Sequence, residues 1–266
     1  MRELLRVYHQ IRALHIQGAH RIAIAGVRAL RFAQNPRDVQ KLLSARPTEP
    51  CLYNALISAR RFGSEQAIQH LYVAHNILAN NARFLFSKHR SVFTHCHSSA
   101  VIDVLTLFKP KVRHVFCTET RPLYQGHRTA QDLSKVHIPH TLGVDSALPT
   151  LLSSADLVLL GCDAITSHFV YNKVGSDLVC DAARHKKIPV YICTDSWKVD
   201  FRHARASVDE RLTAEVWNHP LRGTKIINPA FVAIDPSLIT GIISELGVHS
   251  PQQFLVEVKK AYPWIV

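Results

Sequence analysis

The sequence predicts an α/β fold in which a helical N-terminal domain over residues 1–90 precedes a parallel-sheet domain over residues 91–266. Three observations predict it. In the first third of the chain, apolar residues recur only at helical spacing. From Ser91 onward, short β-type runs alternate with helical patterns, the grammar of βαβ units and of a sheet covered on both faces. Polar residues collect just after those runs, at the carboxyl ends where such sheets bind ligands.

Leu4, Leu5, Tyr8, Ile11 and Leu14 form the first stripe, which Gly18-Ala19 interrupts before Ile22, Ala25, Val27 and Leu30 begin another. Asn35-Pro36 punctuates, and a short segment with Val39, Leu42 and Leu43 follows. Arg46-Pro47-Thr48-Glu49-Pro50 reads as a stiff turn, because two prolines fix φ and restrict the residues before them. Helices carrying Leu52, Leu56 and Ile57, and then Ile68, Leu71, Ala74, Ile77 and Leu78, complete the first domain, whose boundary falls near residues 88–91. Strands are expected at Val92–His95, Val112–Cys117, His140–Val144, Leu157–Leu160 and Val190–Cys193. Helices are expected near 98–108, 127–136, 148–153 and 174–187. The tail reads as loop near 201–225, then a strand at Phe231–Ile234, then a helix with Asp235 as N-cap and Pro236 as its first residue.

Composition narrows the function. A chain of 266 residues with 47% hydrophobic and 20% charged residues has ample length for a core and is not disordered. A net charge of +12 favours anionic partners such as nucleic acid, an acidic surface or a phosphorylated metabolite, or else reflects the proteome of origin. Nucleic acid lacks any RNA-binding module motif, and neither G-x-x-x-x-G-K-[ST] nor G-x-G-x-x-G is present for a nucleoside triphosphate or dinucleotide. The six cysteines show no C-x-x-C spacing, so no metal site and no disulfide framework is expected. Met1 to Gln17 is an Arg/His-studded amphipathic stretch rather than a signal peptide, and no run reaches transmembrane length. A cytoplasmic location without membrane partners is expected.

One stretch concentrates the chemistry, Ser91-Val-Phe-Thr-His-Cys-His-Ser-Ser-Ala100. A β-type run stops at Cys96, and a helix begins with Ser98 or Ser99 as N-cap. A thiol at an electropositive helix start is expected to have a lowered pKa, beside hydroxyls and free amides able to hold an anion. The same pattern fits a cysteine packed as a small hydrophobe. Glu119, Thr120, Arg121, Asp145, Ser146, Asp163, Thr194, Asp195 and Lys198 follow the other strands. Asp145 and Asp163 each fit either acid–base chemistry or a helix cap. Phosphate has candidates in Gln17, Gly18, Ala19 and His20 at a helix start, in Arg46, Arg121 and Arg128 for bidentate contact, and in Lys173 and Lys198 as point charges.

Several separate stretches, in conserved order along nearly the whole chain, resemble one superfamily. They are Gln17-Gly-Ala, Ala45-Arg-Pro-Thr-Glu-Pro50, Thr94-His-Cys-His-Ser-Ser-Ala100, Glu119-Thr-Arg-Pro-Leu123 with Gly126-His-Arg-Thr-Ala130, and Val144-Asp-Ser-Ala147. Gly161-Cys-Asp-Ala-Ile165, Asn172-Lys-Val-Gly175 and Asn228-Pro-Ala-Phe231 with Gly247-Val complete the set. Together they resemble the sugar-phosphate isomerases grouped with the regulatory subunits of the eukaryotic translation-initiation exchange factor. The resemblance implies a Rossmann-like second domain and a homo-oligomer, dimer or hexamer. It also implies cofactor-free aldose–ketose isomerisation of a phosphorylated sugar. Cys96 and Asp163 match the enzymatic pair, which weighs against a purely regulatory subunit. His95-Cys-His-Ser98 resembles the branch acting on ribose 1,5-bisphosphate in nucleoside-monophosphate breakdown, with methylthioribose- or deoxyribose-1-phosphate isomerisation as the alternative. The resemblance further implies that Gly18, Ala19, Arg46, Ser98, Ser99, Arg128, Asn172, Lys173 and Lys198 contact substrate or phosphate. In the implied reaction Asp163 is the acid at the ring oxygen, and Cys96 either moves a proton between C2 and C1 or takes the C2 hydroxyl proton during a direct hydride shift.

Overall fold

The computed structural model describes residues 2–13, 15–16, 18–206 and 210–265. Gln17, one of the expected phosphate contacts, lies outside the described residues.

Helices come first: α1 (Arg2–Arg12), α2 (Ala19–Ala29), α3 (Pro36–Leu43), α4 (Pro50–Phe62) and α5 (Ser64–Asn81). Their starts have local causes. The Asn35 side chain accepts from the Arg37 and Asp38 amides, and Pro36 and Pro50 occupy first-turn positions where no amide is needed. The sheet segment then runs β1 (Arg90–Thr94), α6 (Ser99–Leu107), β2 (Val112–Thr118), α7 (Gln125–Lys135), β3 (His140–Gly143), α8 (Leu148–Leu152) and β4 (Leu157–Leu160). It continues with β5 (Ala164–Ile165), β6 (Val170–Lys173), α9 (Ser176–His185) and β7 (Val190–Cys193). The chain closes with β8 (Phe231–Ile234), β9 (Gly241–Ser244), β10 (Gly247–His249) and α10 (Pro251–Ala261).

The main sheet has the order β10-β9-β7-β4-β1-β2-β3, parallel except for the β10 edge. Side chains alternate across it. Val92, Val115, Leu157 and Leu159 enter one apolar cluster with α6, whereas Phe93, Val158, Leu160 and Ile192 enter another. That second cluster also takes in Leu4, Ile22, Leu52 and Leu56, so α1, α2 and α4 pack onto the same apolar layer as α9 and α10. From β1 the chain steps outward to β2 and β3, then returns to place β4 on the other side of β1. The topological switch point therefore lies between the ends of β1 and β4.

Strand β8 lies outside the main sheet; it pairs antiparallel with β6, which pairs with β5 in a separate three-stranded sheet. One expectation for the tail is corrected. Asp235 does cap, accepting from the Ser237 amide, but Pro236–Leu238 is a single 3₁₀ turn rather than a helix. The Thr240 amide is already bonded to the Val190 carbonyl, so the chain must extend into β9 at once. Elements β5, β6, β9, β10 and α10 were not expected from the sequence. In β6 and β9 all four residues are buried, so no alternation marks them. Helix α10 did carry a signal, Ser250 as N-cap before Pro251. No helix among the described residues is long and apolar enough to cross a membrane.

Candidate active site

Cys96 sits beyond the end of β1 with φ of +66°, a left-handed conformation uncommon for a residue with a side chain. Hydrogen bonds from within the protein hold it there. Its amide donates to Thr120 Oγ1 (3.0 Å), and its carbonyl accepts from Thr129 Oγ1 (2.8 Å). Thr120, itself at φ of +63°, is anchored because Asp145 accepts from the Thr120 and Arg121 amides at 2.8 and 2.7 Å. Asp145 thus makes no cap for the turn it begins; it braces the β2–α7 connection that supports Cys96. Gly126 lets that connection close, since a Cβ there would lie 1.8 Å from the Thr118 carbonyl oxygen.

Asp163 follows β4, its amide bonded to the Tyr171 carbonyl of β6 at 2.9 Å. The end of β4 reaches the start of α6 only because residue 161 is glycine; a Cβ would meet the Ser98 side chain at 2.6 Å. Ser98 caps α6 as expected, accepting from the Val101 amide. Lys173 ends β6, and Asn172 is fixed by a 2.9 Å bond to Ser176 Oγ. Lys198 is buried in the turn after β7, and its Nζ donates to the Cys162 carbonyl at 2.7 Å. The helical segment enters through Gly18 and Ala19 at the uncapped start of α2 and through Arg46 in the turn before α4.

A cavity of about 340 Å³ gathers these groups. Cys96 and Asp163 line it together with Ser98, Ser99 and Asn172, and the cations Arg46, Arg128, Lys173, Lys198 and Arg211 surround them. Two expected contacts are elsewhere. The His20 ring turns away to Asp195, Nε2 to Oδ2 at 2.7 Å, and packs at a tilt against His75. The Arg121 guanidinium donates to the Tyr124 hydroxyl (2.7 Å) and the Val216 carbonyl (3.2 Å), outside the cavity. Both left the cavity because a closer partner captured them.

Sequence reading missed four side chains. Arg211 comes from a loop without any pattern, and pairs with Glu215. His97 lines the cavity while bonded to Asp132 at 3.0 Å. Gln125 lines it as well, with Oε1 buried and without a hydrogen-bond partner among the described residues. Glu49, beside Arg46 in the turn, is buried with Oε1 likewise unpartnered. Only a tertiary structure reveals an unpaired atom.

The electrostatics overturn one expectation. The Cys96 thiol is not acidic: burial, and next the Asp163 charge, push its pKa up to about 12. Helix α6 starts only at Ser99, with Ser98 as its cap, so desolvation outweighs the helix start. Burial also raises the Asp163 carboxyl, although Lys198, Arg46 and Lys173 oppose it. Burial followed by Asp163 pushes Glu49 up to about 8. For Lys198, burial disfavours the charge, but Asp195 and other neighbouring groups outweigh it and keep the ammonium protonated. The site therefore offers a neutral thiol, a carboxyl with raised proton affinity, fixed cations and a free amide oxygen. That set suits proton transfer on a polyanionic polyol.

Residues 58–251 match the initiation factor 2 subunit family. A relative from Methanocaldococcus jannaschii named ribose 1,5-bisphosphate isomerase is 30% identical, the match covering 97% of this chain and 95% of the relative. A methylthioribose-1-phosphate isomerase from Symbiobacterium thermophilum is 29% identical over 92% of this chain and 83% of its own. The crystal structure of translation initiation factor eIF-2B from Pyrococcus horikoshii superposes with a TM-score of 0.82 at 23% identity, covering 94% of this chain and 98% of that one. At that identity the likeness speaks for the fold.

Proposed function

The chain belongs to the initiation factor 2 subunit family, and we propose that it is the isomerase that converts ribose 1,5-bisphosphate to ribulose 1,5-bisphosphate. The observation that carries the reading is the thiol–carboxyl pair, Cys96 and Asp163, at the switch point inside a ring of five cations, Arg46, Arg128, Lys173, Lys198 and Arg211. A monophosphate needs fewer. Two phosphates put several negative charges into one small cavity, and this ring with the amides of Gly18 and Ala19 and the Ser98 and Ser99 hydroxyls balances them.

In this reading Asp163 gives its proton to the ring oxygen, and the bond from that oxygen to C1 breaks. The Cys96 thiolate takes the proton from C2, leaving a C1–C2 double bond, and the thiol, after exchange with solvent, protonates C1. The C2 hydroxyl proton passes to the Asp163 carboxylate as the ketone forms. The ring oxygen ends as a hydroxyl, and both residues return to their starting states. The working pair carries one proton, on Asp163. The thiol, pushed up to about 12, competes for that proton, and the Asp163 carboxyl, also raised by burial, holds it in the working form. Gln125 Oε1 is free to accept from a sugar hydroxyl.

The proposal extends to a cytoplasmic homo-oligomer, dimer or hexamer, in which residues 1–90 form one wall of the cleft and residues 91–266 the other. The test is turnover of ribose 1,5-bisphosphate and methylthioribose 1-phosphate side by side in deuterated water, with Cys96→Ala and Asp163→Asn as controls. Ketose from the bisphosphate, with deuterium at C1 and loss in both variants, is the expected result. Turnover of the monophosphate alone replaces the substrate, and no turnover of either by a folded protein removes the enzymatic reading. Deuterium at C1 excludes a direct hydride shift from C2.

A further inference from the structure

We propose that His20, Cys51 and Asp195 form a binding site for one zinc-like divalent metal ion, which clamps the start of α2 to the turn after β7. The ligating atoms of the three residues lie within 4.8 Å of one another. Cys51 and Asp195 are buried and His20 is mostly so. Donors around a tetrahedral zinc stand roughly 3–4 Å apart, so sub-ångström side-chain shifts complete the geometry. Nitrogen, sulfur and carboxylate oxygen are the donor types that zinc accepts, and three protein ligands leave a fourth position for water.

The ligands are already oriented from behind. Asp195 Oδ1 accepts from the Trp197 amide at 3.0 Å, which leaves Oδ2 toward His20. The His20 ring lies against His75, 3.9 Å between centroids and tilted by 38°, and His75 is itself bonded to Asp103 at 2.9 Å. Outer contacts of this kind fix the ring and carboxylate directions that a metal requires.

Local charge around the cluster is mixed: the Asp195, Glu49 and Glu245 carboxyl groups and the Lys198 ammonium all lie near Cys51. A divalent ion with a thiolate, a carboxylate and a neutral imidazole makes a site of zero net charge. On binding, the Cys51 thiol proton leaves to solvent, and the His20 ring keeps its one proton on the nitrogen that does not bind the metal. Ala19 and Lys198, which line the catalytic cavity, flank the clamp in sequence. The site is separate from the reacting pair, so its test does not depend on the proposed reaction.

The full-length protein, freed of metal, is titrated with cobalt(II) as a spectroscopic zinc substitute. The expected result is a tetrahedral cobalt spectrum with thiolate charge-transfer absorption, saturating at one ion per chain and displaced by zinc. It is absent from Cys51→Ser and at least tenfold weaker in apparent affinity for His20→Ala. Cys96→Ser retains it, which separates the two thiols. Circular dichroism checks that each variant is folded. No charge-transfer absorption in the wild type, or its persistence in folded Cys51→Ser, overturns the site. If Cys51→Ser does not fold, unchanged saturation in His20→Ala overturns it instead.

Discussion

On the sheet side of the cavity, the backbones that carry reacting groups are held from inside the protein: Cys96 by Thr120 and Thr129, and Asp163 by Tyr171. On the helical side, Arg46 reaches in from a proline-bounded turn, its carbonyl bonded to the Glu49 amide and its guanidinium lining the cavity. Gly18, at φ of +88°, meets nothing within 4 Å where a Cβ would stand. The difference teaches a division of labour. Proton transfer needs atoms placed to a fraction of an ångström, and the strand ends supply that through strained but braced backbones. Phosphate capture needs charge that can adapt, which a guanidinium on a surface turn supplies.

The comparison breaks first if the two sides fail to separate in kinetics. Cys96→Ala and Asp163→Asn are expected to lower kcat by about 10²–10⁴-fold with KM little changed, measured on ribose 1,5-bisphosphate. Arg46→Ala is expected to raise KM by roughly 10–100-fold, the loss of a charge-assisted contact worth about 1.5–3 kcal/mol, with a smaller change in kcat. A kcat collapse in Arg46→Ala with unchanged KM would place it among the reacting groups instead.

Protonation sharpens the contrast. The pair works with a single proton, so kcat should rise with pH through the raised Asp163 titration and stay level toward the thiol value of about 12. Stability should move the other way. Glu49 is held neutral in the fold, so its contribution is complete below the ordinary 4.5 and is lost as pH climbs to about 8. Thermal denaturation of Glu49→Gln is therefore expected to depend less on pH across that window, and an unchanged slope would show that Glu49 is not the group responsible. The smallest effect is assigned to Arg121→Ala, whose kcat/KM should stay within about twofold because its guanidinium is engaged outside the cavity.

Much of this architecture is legible in the chain. Strands β1, β2, β4 and β7 are short β-rich runs between helical patterns, and their ends name Cys96, Asp163 and Lys198 before any coordinates. What escapes does so for physical reasons. Strands β6 and β9 are four residues long and buried on both faces, so periodicity has nothing to report. Arg211 enters the cavity from an irregular loop, and Gln125 and Glu49 are notable only because an oxygen of each lacks a partner.

By itself the sequence determined the order of helices and strands, the polar residues at the strand ends, and the family, because these depend on local spacing and motif order. Tertiary structure alone decided which of those polar residues share one cavity. It turned His20 onto Asp195 and Arg121 onto Tyr124, since a hydrogen bond between residues far apart in the chain leaves no trace in local pattern. It also reversed the acidity expected of Cys96: a helix start favours a thiolate, but desolvation beside Asp163 disfavours it more strongly, and burial is a property of the whole fold.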